Sequence, residues 1–196
     1  MQWVEAIAVV FGFVCVWLTV KENIYCWPTG LIQVVLYIFI FYHVQLYSDL
    51  ILQIIYVVMQ IYGWYHWLHG GKNKTELPVS RLKYTEFYGW IFCGMIITGI
   101  WGYLMRTYTN AAAPYCDAFI AAMSLIAQWL MARKKLESWF FWIAIDVMAV
   151  GVYFYKQLYM TTGLYFVFLI LAITGYIEWR KTFVRIKNTM CATGNT

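Results

Sequence analysis

At 196 residues the chain has room for little more than one domain. Its composition, 63% hydrophobic and 12% charged, excludes an ordinary water-soluble domain, in which about a quarter of the residues are charged. The net charge of +5 sits in loops between apolar runs, a pattern that belongs to membrane proteins and gives no support for a nucleic-acid partner.

Apolar stretches follow one another at 3–20, 29–47, 49–68, 84–105, 116–132, 139–155 and 158–179. Each is long enough, at 1.5 Å per residue, to cross most or all of a hydrocarbon core about 30 Å thick. The expectation is an all-α integral membrane protein of seven transmembrane helices, with residues 1–196 as a single membrane domain in a lipid bilayer. Pro28, Pro78 and Pro114 fall at the start of the second stretch, in a polar loop and just before the fifth stretch, where helix breakers belong. The first stretch carries Glu5, has no basic residue ahead of it and is followed by no small-residue cleavage site. It therefore reads as a retained helix and not as a signal peptide.

Seven crossings put Lys21, Lys72, Lys74, Arg81, Lys83, Arg133, Lys134, Lys135, Arg180, Lys181, Arg185 and Lys187 on one side, and only Arg106 and Lys156 on the other. Basic loops stay in the cytoplasm, so the N-terminus is expected outside and the C-terminus inside a bacterial inner membrane. The five cysteines (Cys15, Cys26, Cys93, Cys116, Cys191) form no C-x-x-C pair. They read as packing residues, with no metal site and no cofactor implied.

Sliding the sequence along itself without a gap brings Trp17 onto Trp129. The same register aligns Trp27 with Trp139, Gln45-Leu46-Tyr47 with Gln157-Leu158-Tyr159, Leu52 with Leu164, Gly63 with Gly175 and Trp67 with Trp179. Hydrophobic composition alone would match Leu and Val; it would not match Trp, Gly and a tripeptide. Residues 1–68 and 116–180 then form two three-helix repeats joined by a linker helix at 84–105. This is a parallel 3+1+3 order, SWEET-like, with a substrate site expected between the repeats near the bilayer midplane.

Polar groups persisting in mid-span are the candidates to line such a site. Asp146 is the only acid well inside a stretch, and Trp139, Trp142 and Asp146 are spaced to share one helix face. Gln53 and Gln60 lie two turns apart and share a face; Ser124 and Gln128, and Gln33 and Tyr37, do so one turn apart. Indoles stack on flat rings and attract cations, amides pair donors with acceptors, and a carboxylate balances a positive charge. Each has a plainer reading. Trp near a span end is commonly an interfacial anchor, a lone Gln commonly bridges helices, and the matched Gly63 and Gly175 read as close-packing positions. His66 and His69 lie at a span end, and neither H-E-x-x-H nor G-x-S-x-G occurs, so no enzyme is expected.

Several fragments together resemble the PnuC-type vitamin transporters, which carry nicotinamide riboside and, in relatives, thiamine or flavins. They are Trp27-Pro28-Thr29-Gly30, Leu46-Tyr47-Ser48-Asp49 through Leu52-Gln53, Tyr62-Gly63-Trp64-Tyr65-His66-Trp67, Asp117-Ala118, Ala127-Gln128, Glu137-Ser138-Trp139-Phe140-Phe141-Trp142, Leu158-Tyr159 and Gly175 to Trp179. The likeness covers nearly the whole chain. It departs at Ser138, where nicotinamide riboside carriers usually have Asn, and in lacking the leader of some members. The resemblance implies a homotrimer and facilitated diffusion of a small vitamin substrate, trapped inside by a soluble kinase that phosphorylates it. Thiamine or a flavin remains an alternative cargo, and a sugar a more remote one.

Overall fold

The computed structural model describes residues 2–45, 47–71, 74–108, 113–155 and 157–193; Leu46 of the matched tripeptide and Lys72 and Lys156 of the basic set lie outside the described residues. Among these, seven α-helices follow in order: α1 (Gln2–Val20), α2 (Cys26–His43), α3 (Tyr47–His69), α4 (Tyr84–Tyr108), α5 (Pro114–Ala132), α6 (Ser138–Tyr155) and α7 (Tyr159–Thr193). One helix falls on each apolar stretch. Pro114 opens α5 and Pro28 lies in the first turn of α2, where a missing N–H breaks no helical bond.

Six of the helices are both long and apolar enough to cross a membrane; α3 is not among them. With 23 residues it measures about 34 Å, so its length suffices. Gln53, Gln60, His66 and His69 lower its apolarity. The other departure is α7, whose apolar run ends near Trp179 while the helix continues to Thr193. Arg180, Lys181, Arg185 and Lys187 are good helix formers, with no Gly or Pro among them to stop the helix. The end of the apolar run marks the exit from hydrocarbon and not the end of the helix.

Turn geometry recurs at the register read from the sequence. Glu22 and Lys134 both adopt left-handed backbone (φ 54° and 53°), as do Gln45 and Gln157 (φ 59° each). Behind Glu22, the Asn23 N–H donates to the Leu18 carbonyl at 2.9 Å; behind Lys134, the Lys135 N–H donates to Leu130 at 3.0 Å. Both are the six-to-one bond that closes a helix C-terminus on a left-handed residue. Helix starts keep the same register: Gln2 and Pro114 open α1 and α5, Cys26 and Ser138 open α2 and α6, and Tyr47 and Tyr159 open α3 and α7.

The chain divides into two compact units: Met1–Val79 with Ala132–Lys134 and Glu178–Thr196, and Ser80–Met131 with Lys135–Ile177. In the first, α1 packs on α2 and α2 on α3. The Trp27 ring of α2 lies where a Cβ of Gly63 on α3 would be, so only glycine admits this approach. Trp27 meets Trp67 edge to face at 5.3 Å, and Trp67 lies 5.7 Å from Trp179. In the second unit, Met123, Ile126, Ala127, Leu130, Phe141 and Ile145 form the core, flanked by Phe87, Trp90 and Trp142. Gly94 of α4 accommodates Met123, and Gly175 of α7 accommodates the Trp139 ring as Gly63 does Trp27. The segment before α4 is fastened to the start of α6. Leu136 N–H donates to the Ser80 carbonyl at 2.9 Å, while buried Glu137 accepts from Arg81 Nε at 3.1 Å and from the Leu82 N–H at 2.8 Å. That carboxylate raises the pKa of the Arg81 guanidinium above its ordinary value.

Candidate functional site

Helix α6 runs through the second unit with Trp139 in its first turn and Asp146 two turns on. Asp146 is 5% exposed as a residue, and its carboxylate makes no hydrogen bond or ion pair with another described residue. Transfer of an isolated ionised carboxylate out of water is heavily unfavourable, so a buried one normally has a partner. One turn earlier on the same face, Trp142 is half-buried at the edge of the core, with its indole partly free. Trp139 is used differently. Only 2% exposed, its ring is pressed against Gly175, which gives it a packing role in setting α6 against α7.

On α5, buried Ser124 donates its hydroxyl to the Ala121 carbonyl at 3.0 Å, and half-buried Gln128 follows one turn later. Ser138, the position that departs from the nicotinamide riboside pattern, is fully buried, and its hydroxyl donates to the Lys135 carbonyl at 2.7 Å. It closes the turn into α6. Its side chain is committed to the backbone.

In the first unit the polar candidates separate. The Gln60 carboxamide, on α3, fills the notch left by Gly30 of α2, where a Cβ would also come within 2.9 Å of Cys15 Sγ. The Gln33 carboxamide, on α2, lies in a second notch at Gly12 of α1. Tyr37 stacks on Phe41 at 5.6 Å, and Gln53 is half-buried on α3. Gly30 stands in the Trp27-Pro28-Thr29-Gly30 fragment, but neither it nor Gly12 was read from the sequence as a contact position. Their only signal is an isolated glycine inside a helical run, which marks close approach without saying of what. Also unforeseen is the ion pair of Lys134 with Glu22 at 3.3 Å, with the Lys134 ammonium 4.7 Å above the Trp67 ring. Among the described residues no three His, Cys, Asp or Glu side chains cluster in a way that would hold a metal ion.

A membrane chain with a buried carboxylate beside an indole can now be set against known proteins. The model of the nicotinamide mononucleotide transporter family matches residues 2–181. The chain belongs to that family. Among its relatives is the nicotinamide riboside transporter PnuC of Escherichia coli, 27% identical over 91% of this chain and 85% of the relative. PnuC of Neisseria mucosa is 26% identical over 92% and 73%. The riboflavin/roseoflavin transporter RibM of Streptomyces davaonensis is 23% identical over 90% and 84%. A crystal structure of the vitamin B3 transporter PnuC superposes with a TM-score of 0.74 at 24% identity, covering 94% of this chain and 83% of that one. The shared fold is that of a multi-pass helical membrane protein from a bacterial transporter family.

Proposed function

We propose that the protein takes up a small, flat, aromatic B vitamin, nicotinamide riboside first, by facilitated diffusion. The observation that carries this reading is the buried Asp146 carboxylate without a described partner, one turn from a half-buried Trp142. A cationic ring supplies what both lack, since it balances the carboxylate and stacks on the indole. Nicotinamide riboside is such a cation, and relatives bear its name. Ser124 and Gln128 add polar groups in the same unit; Gln53, Gln60, Gln33 and Tyr37 of the first unit are further candidate contacts, and Trp139 supports Trp142. Asp146 is the only buried acid within a described helix, too few groups for a proton relay. Uphill accumulation then needs a trap, which phosphorylation by a soluble kinase provides.

The same reading includes seven crossings in a parallel 3+1+3, SWEET-like order with the N-terminus outside, and a homotrimeric assembly. The repeat is supported by helix starts, left-handed turns and Trp–Gly contacts that all recur in the register that pairs Trp27 with Trp139. A second cargo, riboflavin, is favoured by the likeness to RibM. A neutral flavin would use the indole but not the carboxylate. Thiamine, also a flat cation, fits the same groups.

The test is a binding panel on purified protein with nicotinamide riboside, thiamine, riboflavin and a hexose, read by heat of binding. Nicotinamide riboside is expected to bind, and Asp146→Ala to weaken it by roughly tenfold or more, as removal of a charged partner does. Binding of the hexose alone would overturn the vitamin reading. Unchanged affinity in Asp146→Ala would remove the carboxylate from it.

A further inference from the structure

The two faces of α1 differ. Ala8, Gly12 and Cys15 share the face toward α2: Ala8 is buried, Gly12 admits the Gln33 carboxamide, and the Cys15 thiol donates to the Cys26 carbonyl at 3.1 Å. The opposite face carries Ile7, Val10, Phe13 and Trp17, all exposed, and one turn further it ends on exposed Lys21. From Ile7 to Trp17 this apolar stripe is about 15 Å long, one leaflet of a hydrocarbon core about 30 Å thick. Trp17 then falls where indoles mark the boundary with the lipid headgroups, and Lys21 just beyond it.

Beside Lys21 stands the start of the α7 extension. Trp179 Nε1 donates to the Thr19 carbonyl at 3.0 Å, which holds the two helix segments together. Glu178 pairs with Lys181 at 2.9 Å and is close enough to Lys21 to interact with its charge. Arg185 follows Lys181 one turn on. Arg180, Lys181, Arg185 and Lys187 are all exposed, whereas Phe183 and Ile186 between them are half-buried. Against these four cations and Lys21 the patch holds one carboxylate, Glu178; Glu22, next to Lys21 in sequence, is already paired with Lys134 at 3.3 Å. Positive charge is left over.

We propose that this corner of the first unit is a binding site for an anionic phospholipid, with its tails along Ile7, Val10, Phe13 and Trp17 and its phosphate held by Lys21, Lys181 and Arg185. The combination selects the occupant. A soluble anion has no use for the stripe, and a zwitterionic lipid gains nothing from a surplus of cations. Basic clusters beside a membrane span attract anionic lipids, each Lys or Arg strengthening the association about fivefold, and salt weakens it. Glu178 has a double part: it holds Lys181 in place and offsets some of the charge, so it lowers the strength of the site. Every group named belongs to the first unit. The inference therefore rests neither on the cargo nor on how the two units are placed.

The experiment titrates the full chain, purified in a neutral detergent, with phosphatidylglycerol or phosphatidylcholine. Bound lipid is counted by native mass spectrometry, which also reports subunit number. The parent is expected to retain phosphatidylglycerol about fivefold better or more, with the preference shrinking at high salt. Lys21→Gln and Arg185→Gln should each lower that retention about fivefold, and Glu178→Gln should raise it. Arg106→Gln, which removes a cation in the last turn of α4, should leave it unchanged. Glycerol 3-phosphate, a phosphate without tails, should not displace the lipid. The substituted charges are exposed, so unfolding midpoints close to the parent's are expected and separate lost lipid from lost fold. Equal retention of the two lipids by the parent overturns the proposal, as does an Arg106→Gln effect equal to that of Lys21→Gln. Displacement by glycerol 3-phosphate would leave an anion site with no lipid in it, and the proposal would fall. It falls too if the variants change subunit number and not lipid, for the face is then a contact between copies of the chain.

Discussion

The Trp27–Gly63 and Trp139–Gly175 contacts show how one missing methyl group sets a helix interface. Each glycine leaves room for the six-membered ring of an indole, and both tryptophans are buried. Sequence alone recovered the two tryptophans and the two glycines as matched sets, and read the glycines as close-packing positions. It could not tell that each ring sits on its glycine, because the partners are distant in sequence and lie on different helices. The same limit hid Gly30 under Gln60. Asp146 was legible, since an acid in an apolar run is conspicuous whatever its neighbours. For Gly63→Ala and Gly175→Ala the new methyl meets a rigid ring, and overpacking of this kind costs about 1–3 kcal/mol. Thermal unfolding of the purified protein is expected to show a lowered midpoint for each, partly restored when the facing tryptophan is shortened to Phe. By contrast, Trp142→Phe should leave the midpoint nearly unchanged and weaken ligand binding. A parent-like midpoint in Gly175→Ala would mean that the Trp139 ring does not rest there.

At the scale of elements, the helices were readable and their ends were not. Apolar run length located all seven, because hydrocarbon demands about 20 apolar residues whatever the packing. The stops at Glu22, Gln45, Lys134 and Gln157 escaped, because helices commonly close on glycine and these four are long polar side chains in the left-handed region. A left-handed conformation costs a non-glycine residue roughly 1 kcal/mol. Gln45 and Gln157 are therefore informative positions. Gln45→Gly and Gln157→Gly are expected to hold or raise the unfolding midpoint despite the added chain entropy. Gln157→Val, β-branched in the same conformation, should lower it. Thermal scans of the three variants at one protein and detergent concentration decide the matter. A drop in both glycine variants would show that the turns do not need the left-handed state.

For the whole molecule, composition and geometry bear differently on α3, which is less apolar than the other six helices. Composition weighs against a crossing; geometry weighs for one. Only residues 44–46 separate the end of α2 from the start of α3 in sequence, and near its other end α3 brings Gly63 and Trp67 against Trp27 in the first turn of α2. The two helices are therefore antiparallel and coextensive. If α2 crosses the bilayer, α3 returns through the same depth. The polar burden of α3 is also partly shielded from lipid, since Gln60 is buried against Gly30 within the unit. Polar side chains are tolerated in a span when they face protein. A return crossing by α3 puts Lys74, Arg81 and Lys83 on the side of Lys21, in agreement with the bias of basic loops toward the cytoplasm. Fusions report this directly. Alkaline phosphatase, active only outside, should be active after Gln45 and after Arg106, and inactive after Lys83 and at the C-terminus. A fluorescent protein that folds only in the cytoplasm should give the inverse pattern. Phosphatase activity after Lys83 would place the connector outside, leave six crossings, and break the equivalence of α3 and α7 that the proposed repeat requires.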